Sequence, residues 1–133
     1  MTAIDHSLAI AAARAADDKQ ATDILVIEVV EILSICDSFV IASGRTARQV
    51  KAIVDEIGEQ LYLGHDRKPR AVEGLESRTW VLMDYGDVIV HVFVDADRQY
   101  YRLERLYSDA PQIEWRAPTT PPDLGVKNVI SGG

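Results

Sequence analysis

Apolar residues recur along this chain in two rhythms, one near every third or fourth position and one nearly continuous, and their alternation predicts the elements. Ser7 to Lys19 is dominated by alanine, the best helix former, and predicts a first helix with a small-residue face through Leu8, Ala11, Ala12 and Ala15, with Ser7 or Asp5 as cap. Ile24 to Val30 is apolar at even and odd positions alike, interrupted at Glu28, which predicts a strand covered on both faces and internal to a layered sheet. Glu31 to Asp37 has no clean period and runs through Asp37-Ser38 turn chemistry into a second apolar strand, Phe39 to Ser43, which Gly44-Arg45 ends.

Thr46 and Gln49 have the spacing of a capping box, and Val50, Ile53, Val54, Ile57 and Leu61 follow at helical period. A second helix is expected there, stopped by Gly64, with Arg48, Lys51, Asp55 and Glu59 in water. Gly58 inside it suggests close backbone packing. His65 to Ser77 reads as a polar connection holding one short strand near Arg70 to Glu73. Thr79 to Met83 and Val88 to Val94 flank Asp84-Tyr-Gly-Asp87 and predict an antiparallel hairpin, its second strand apolar on both faces apart from His91. Asp95 is expected to cap a last helix, Ala96 to Tyr107. The fold class is α/β, a mixed five-stranded sheet with helices on its faces.

The domain so defined occupies residues 1–110. Four of the five prolines follow, and residues 111–133 read as a mostly mobile Pro/Gly-rich tail. At 133 residues, 47% hydrophobic and 26% charged, the chain has the balance of one globular domain. Its formal charge of −7 argues against affinity won by coating nucleic-acid phosphates. The single cysteine, Cys36, forms no internal disulfide, which fits a reducing cytoplasm. No apolar run approaches the roughly 18 residues that span a bilayer. Met1 to Gln20 has the wrong charge for a secretory signal or a transit peptide.

Chemistry-bearing groups are sparse. Asp84 and Asp87 invite a reading as a metal-binding pair, yet they stand three apart across a turn, whereas carboxylates on one strand face stand two apart; turn and surface roles fit better. Ala42-Ser-Gly-Arg45 leads into a helix N-terminus but lacks the Gly-rich run and Lys of a P-loop. His91, sharing a strand face with Ile89 and Phe93, has no nucleophile near it by motif and reads as a hydrogen-bonded core histidine. Neither His6, His65 nor Cys36 has a companion at zinc-ligand spacing, so no metal and no cofactor is expected. Trp80, with Leu82 and Asp84 on its face, and the helix bearing Tyr101, Glu104 and Arg105 together suggest an interface, since Trp, Tyr and Arg often dominate binding energy; the competing reading makes Trp80 core and Glu104 with Arg105 a solvated face.

Three blocks carry a resemblance: Asp37-Ser-Phe-Val-Ile-Ala-Ser-Gly-Arg-Thr-Ala-Arg-Gln-Val-Lys-Ala-Ile53, Trp80-Val-Leu-Met-Asp-Tyr-Gly-Asp-Val-Ile-Val-His-Val-Phe93 and Tyr100-Tyr-Arg-Leu-Glu-Arg-Leu106. Over about Ser7 to Ala110 the chain resembles the ribosomal silencing factor family, RsfS, also called Iojap-like. The resemblance implies a nucleotidyltransferase-like α/β sandwich without the transferase's catalytic carboxylates. It implies a non-enzymatic factor that binds the large ribosomal subunit through ribosomal protein number fourteen, blocks joining with the small subunit and represses translation when nutrients are limiting. Carried over, the contact surface falls on Trp80, Val81, Asp84, Tyr101, Glu104 and Arg105. The chain has Asp37-Ser38-Phe39 where many relatives have Asp-Tyr-Phe, and Leu106-Tyr107 where they often have Leu-Trp; both changes bear on packing. The acidity fits a basic ribosomal protein rather than ribosomal RNA as main contact, and a homodimer is expected when that partner is absent. The rival readings are a small metal-dependent nucleotidyl- or phosphoryl-transfer enzyme built on Asp84, Asp87 and the Ser43-Gly44 turn, and an oligomerising scaffold.

Overall fold

The computed structural model describes residues 5–30, 36–102, 105 and 107–116, with Tyr100 and Tyr101 as backbone alone. The elements follow in the order α1 (Ser7–Asp18), β1 (Thr22–Glu28), β2 (Ser38–Gly44), α2 (Ala47–His65), β3 (Ala71–Glu73), β4 (Trp80–Asp84), β5 (Val88–Val94) and α3 (Asp95–Tyr101). The strands form one five-stranded sheet ordered β1-β2-β5-β4-β3. Among the described strands only β2 and β5 run parallel, Ser38 beside Val88 through Gly44 beside Val94; the other pairs are antiparallel. The expected mixed five-stranded α/β sheet is therefore the observed one.

One face of the sheet is roofed by α1 and α2. Val26, Val40, Val81, Met83, Val90 and Val92 meet Ala9, Ala12, Ala13 and Ala16 of α1 and Val50, Ile53, Ile57 and Leu61 of α2 in one buried cluster. The alanines let α1 lie close to sheet and neighbour, while the branched stripe of α2 fills the remaining volume; each such side chain contributes about 1.5–3 kcal/mol on burial. Gln49 joins the two helices. Its backbone N–H is capped by Thr46 Oγ1 at 3.1 Å, its Oε1 accepts from Arg45 N at 2.7 Å, and its Nε2 donates to the carbonyls of Lys19 and Gln20 at the end of α1.

The opposite face holds a second cluster, Ile27, Val29, Cys36, Phe39, Ile41, Phe93 and Ala110, with Trp80, Ile89 and Tyr107 partly buried against it. Its cover among the described residues is smaller. α3 packs on β5 and β2, and the chain from Tyr107 onward crosses toward β1.

Four expectations differ from this arrangement. β1 stands last in the strand order rather than inside it; both its faces are apolar because both are covered, by α1 and by the returning chain. α2 passes through Gly64 and stops one residue later, where Asp66 takes the left-handed conformation (φ 55°) and its N–H bonds the Tyr62 carbonyl. Asp95 is the first residue of α3, not its cap, and α3 ends at Tyr101 because Arg102 turns left-handed (φ 50°). The boundary drawn at Ala110 also falls short: Pro111 O accepts from Glu28 N, Ile113 N donates to Val26 O, and Trp115 is buried with its indole N–H on the Ile24 carbonyl. Apolar residues at 113 and 115 alternate inward, so this stretch behaves as a strand-like flank of β1. Residues 117–133 of that tail lie outside the described residues.

Candidate functional site

Alternation along β4 decides which side chains reach the second face. Trp80, Leu82 and Asp84 point to it and are half-buried, whereas Val81 and Met83 point into the α2 side and are buried. Val81, at 0% exposure, is therefore core and not a contact residue. Opposite Trp80 in the ladder stands Phe93, opposite Leu82 stands His91, and opposite Asp84 stands Ile89. The indole of Trp80 stacks on Phe93 (centroids 4.9 Å apart, 28° between planes) and donates its N–H to Nδ1 of His91 at 3.1 Å.

His91 is a core histidine, as its strand position suggested. Burial pushes its pKa down to about 4, so the ring is neutral near pH 7. Because Nδ1 accepts from Trp80, the ring proton belongs on Nε2, which is buried without a hydrogen-bond partner among the described residues. Phe39 meets the ring edge-on at 4.8 Å. The aromatic stack thus fixes the orientation of Trp80 from beneath and uses its one polar atom internally.

Among the described residues the strip beside Trp80 is left half-exposed. Glu73, Gly74, Trp80 and Leu82 line a shallow, mainly apolar hollow of about 280 Å³, and Leu75 beside it is 41% exposed. Gly74 (φ 88°) is obligatory here: a Cβ would stand 2.1 Å from the Trp80 carbonyl oxygen, so only glycine lets the β3–β4 connection lie against this strand. Leu82 and Glu73 complete the hollow yet were not among the contact residues carried over from the family. Leu82 was accessible to the two-residue period starting at Trp80; Glu73 sits where no periodicity speaks.

The aspartates serve the turn. Asp84 Oδ1 accepts from Gly86 N at 2.8 Å and pairs with Arg70 at 3.2 Å. Asp87 is gripped by Arg67 at 2.7 and 3.4 Å while Arg67 also donates to the Tyr85 carbonyl. Burial raises the Asp87 pKa, but the Arg67 hydrogen bond, with backbone donors, outweighs it and holds the carboxyl below its usual range. Among the described residues no three His, Cys, Asp or Glu side chains gather as a metal site. Nor is the transfer-enzyme constellation assembled. Asp87 lies at the Ser38–Val88 end of the parallel pair and Ser43-Gly44 beside Phe93 and Val94, five residues or about 16 Å along the strands. Ser43 itself accepts a hydrogen bond from buried Arg98 at 2.7 Å. Cys36 is buried, and burial, with Asp37, Asp84 and Asp87 adding, raises its thiol pKa, the reverse of a reactive cysteine.

Of the remaining carried-over residues only Arg105 has a described side chain. Tyr101 ends α3 and only its backbone is described; Glu104 lies outside the described residues. Arg105 is exposed and lines a different, polar hollow with Asp23, Arg98, Gln99 and Arg102. No helix among the described residues is long and apolar enough to cross a membrane.

The chain is similar to known proteins over this whole frame. The family model described as "Ribosomal silencing factor during starvation" matches residues 2–128. The chain is 44% identical over 100 residues, 75% of its own length and 84% of the relative's, to the ribosomal silencing factor RsfS of Bacillus subtilis. A more distant relative is the mouse protein named "Mitochondrial assembly of ribosomal large subunit protein 1", 30% identical over 85% of this chain and 53% of that protein. A crystal structure of a Chromobacterium violaceum protein superposes with a TM-score of 0.75 at 29% identity, covering 90% of this chain and 93% of that one. A match across nearly every residue, joined to the same α/β sheet, leaves one assignment: the chain belongs to the ribosomal silencing factor family, RsfS.

Proposed function

We propose that this protein silences translation by docking on the large ribosomal subunit through ribosomal protein number fourteen and so excluding the small subunit. The observation that carries this reading is the open aromatic face: Trp80 is held rigid by Phe93 and His91 and stands beside the apolar hollow of Leu82 and Gly74. A large amphipathic side chain fixed in advance loses little conformational freedom on binding, which is what an anchor of an interface requires. Asp84 and Asp87 are engaged by Arg70 and Arg67 as turn residues, which supports a steric rather than a catalytic mechanism. A standard interface of roughly 1,600 Å² in total is sufficient for such exclusion. The net charge of −7 favours a basic protein over ribosomal RNA as the main contact, and the site of action is the cytoplasm. In the absence of the ribosomal protein, two copies pair through the same face as a homodimer.

Co-sedimentation with separated subunits tests the reading. The protein is expected to pellet with large subunits and to reduce the joined fraction, and Trp80→Ala is expected to bind at least about 30-fold more weakly, the effect of truncating one buried aromatic anchor. Unchanged binding by a variant whose circular dichroism matches the parent would remove Trp80 from the interface.

A further inference from the structure

At the far end of the sheet from the hairpin turn, Arg102 and Arg105 stand exposed on a polar hollow of about 240 Å³ shared with Asp23, Arg98 and Gln99. Arg98, 4% exposed, belongs to the fold through its hydrogen bond to Ser43. Arg102 spends two of its five N–H donors on Gln99, its Nε on the carbonyl at 2.9 Å and its Nη2 on the side-chain oxygen at 3.3 Å, which holds the guanidinium in place. The two exposed guanidiniums, Arg102 and Arg105, share the hollow with the Asp23 carboxylate. In a chain of net charge −7 this is a local reversal of sign.

We propose that this hollow binds a backbone phosphate of ribosomal RNA at the margin of the docked ribosomal protein. The proposal rests on the large-subunit reading above. Guanidinium forks match the paired oxygens of a phosphate and remain charged at every working pH. The side chains that line it are guanidiniums, an amide and a carboxylate, and guanidiniums are groups that recognise a phosphate. Its position fits the same contact. Ser43, Phe93 and Trp80 occupy neighbouring rungs of β2, β5 and β4, and Asp23 of the hollow follows Thr22, the β1 partner of Ser43, so the hollow lies about three strand spacings, roughly 14 Å, from Trp80. A body seated on Trp80 with a footprint of standard size reaches that margin. The overall negative charge repels RNA elsewhere, so one basic notch acts as a register mark rather than as the main source of affinity.

The test compares full-length protein with Arg102→Gln/Arg105→Gln on large subunits and on isolated ribosomal protein number fourteen, between about 50 and 200 mM salt. On subunits the double variant is expected to bind about 10-fold more weakly at low salt, with the slope of log affinity against log salt shallower by about 1 to 2. Arg105, which the family resemblance sets against the ribosomal protein, is by this proposal turned to RNA instead, so affinity for the isolated protein is expected to fall far less than affinity for subunits, and Arg102→Lys/Arg105→Lys should keep most of the slope. An unaltered slope on subunits overturns the proposal, and so does an equal loss on the isolated protein, which would place the arginines against protein. Failure of the parent itself to bind subunits would instead strike the large-subunit reading. A separate arm needs no ribosome: the Nε–Hε resonances of Arg102 and Arg105 should move on addition of a short oligouridylate at low salt. Stillness at millimolar oligonucleotide, or an equal response to ATP, overturns the RNA-backbone assignment.

Discussion

His91 shows how one buried ring organises the surface above it. Its pKa is about 4 in the folded protein against 6.5 when exposed, with burial as the cause. Between these values the unfolded chain binds a proton that the native state refuses, so stability is complete above pH 6.5 and is lost as pH falls toward 4, by on the order of 3 kcal/mol. Protonation would also put a hydrogen on Nδ1, where the Trp80 indole donates. Urea unfolding followed from pH 7 to pH 4 should show this decline, and His91→Phe should flatten it; an equally steep profile in the variant would locate the proton uptake elsewhere. That His91 lies in the core was legible from its apolar strand. Its partner was not, because Trp80 is a diagonal neighbour across the ladder rather than the residue directly opposite. Val81 teaches the reverse: adjacent strand residues face opposite ways, so Trp80 and Val81 never had a common surface to share, and the two-residue period already implied it.

Among the elements, α2 was the most legible because its cap, its stripe and its length all agree. Gly58 is the exception. A Cβ built there would meet only the terminal methyl of Met83 at 3.8 Å, an ordinary contact, so the glycine does not serve the close backbone approach that its position suggested. Gly58→Ala is accordingly expected to stabilise the protein by about 0.5–1 kcal/mol, seen as a higher urea midpoint at unchanged slope. A lower midpoint would mean that Met83 cannot yield. The hairpin was equally readable, although its two-residue loop is Gly86-Asp87 within a turn closed by Tyr85 N on Val88 O, with Gly86 at φ 93°. α3 was not readable to its end, since Arg102 adopts a left-handed backbone that propensity does not mark in arginine.

For the whole molecule, proline content hid a structural segment. Trp115 is 5% exposed within the cluster that includes α1 and α2, and Arg14 Nε donates to its carbonyl at 2.8 Å. Trp115→Ala is expected to cost about 3 kcal/mol of unfolding free energy, measured by denaturant titration; a change below about 1 kcal/mol would show the segment to be dispensable. The aromatic face was legible as a set of residue types, whereas its hollow depended on how the β3–β4 connection lies against Trp80, a tertiary fact. The segment from Pro111 to Ile113 has a further effect, because it occupies backbone groups of β1 that would otherwise be available to a passing strand. The other margin, β3, offers only Ala71–Glu73, three residues beside a charged pair, a poor template for growth. Self-assembly by strand addition is thereby discouraged at both margins. If copies pair through the aromatic face, as proposed, pairing and docking compete for one hollow, and a rising concentration of free protein would buffer its own activity.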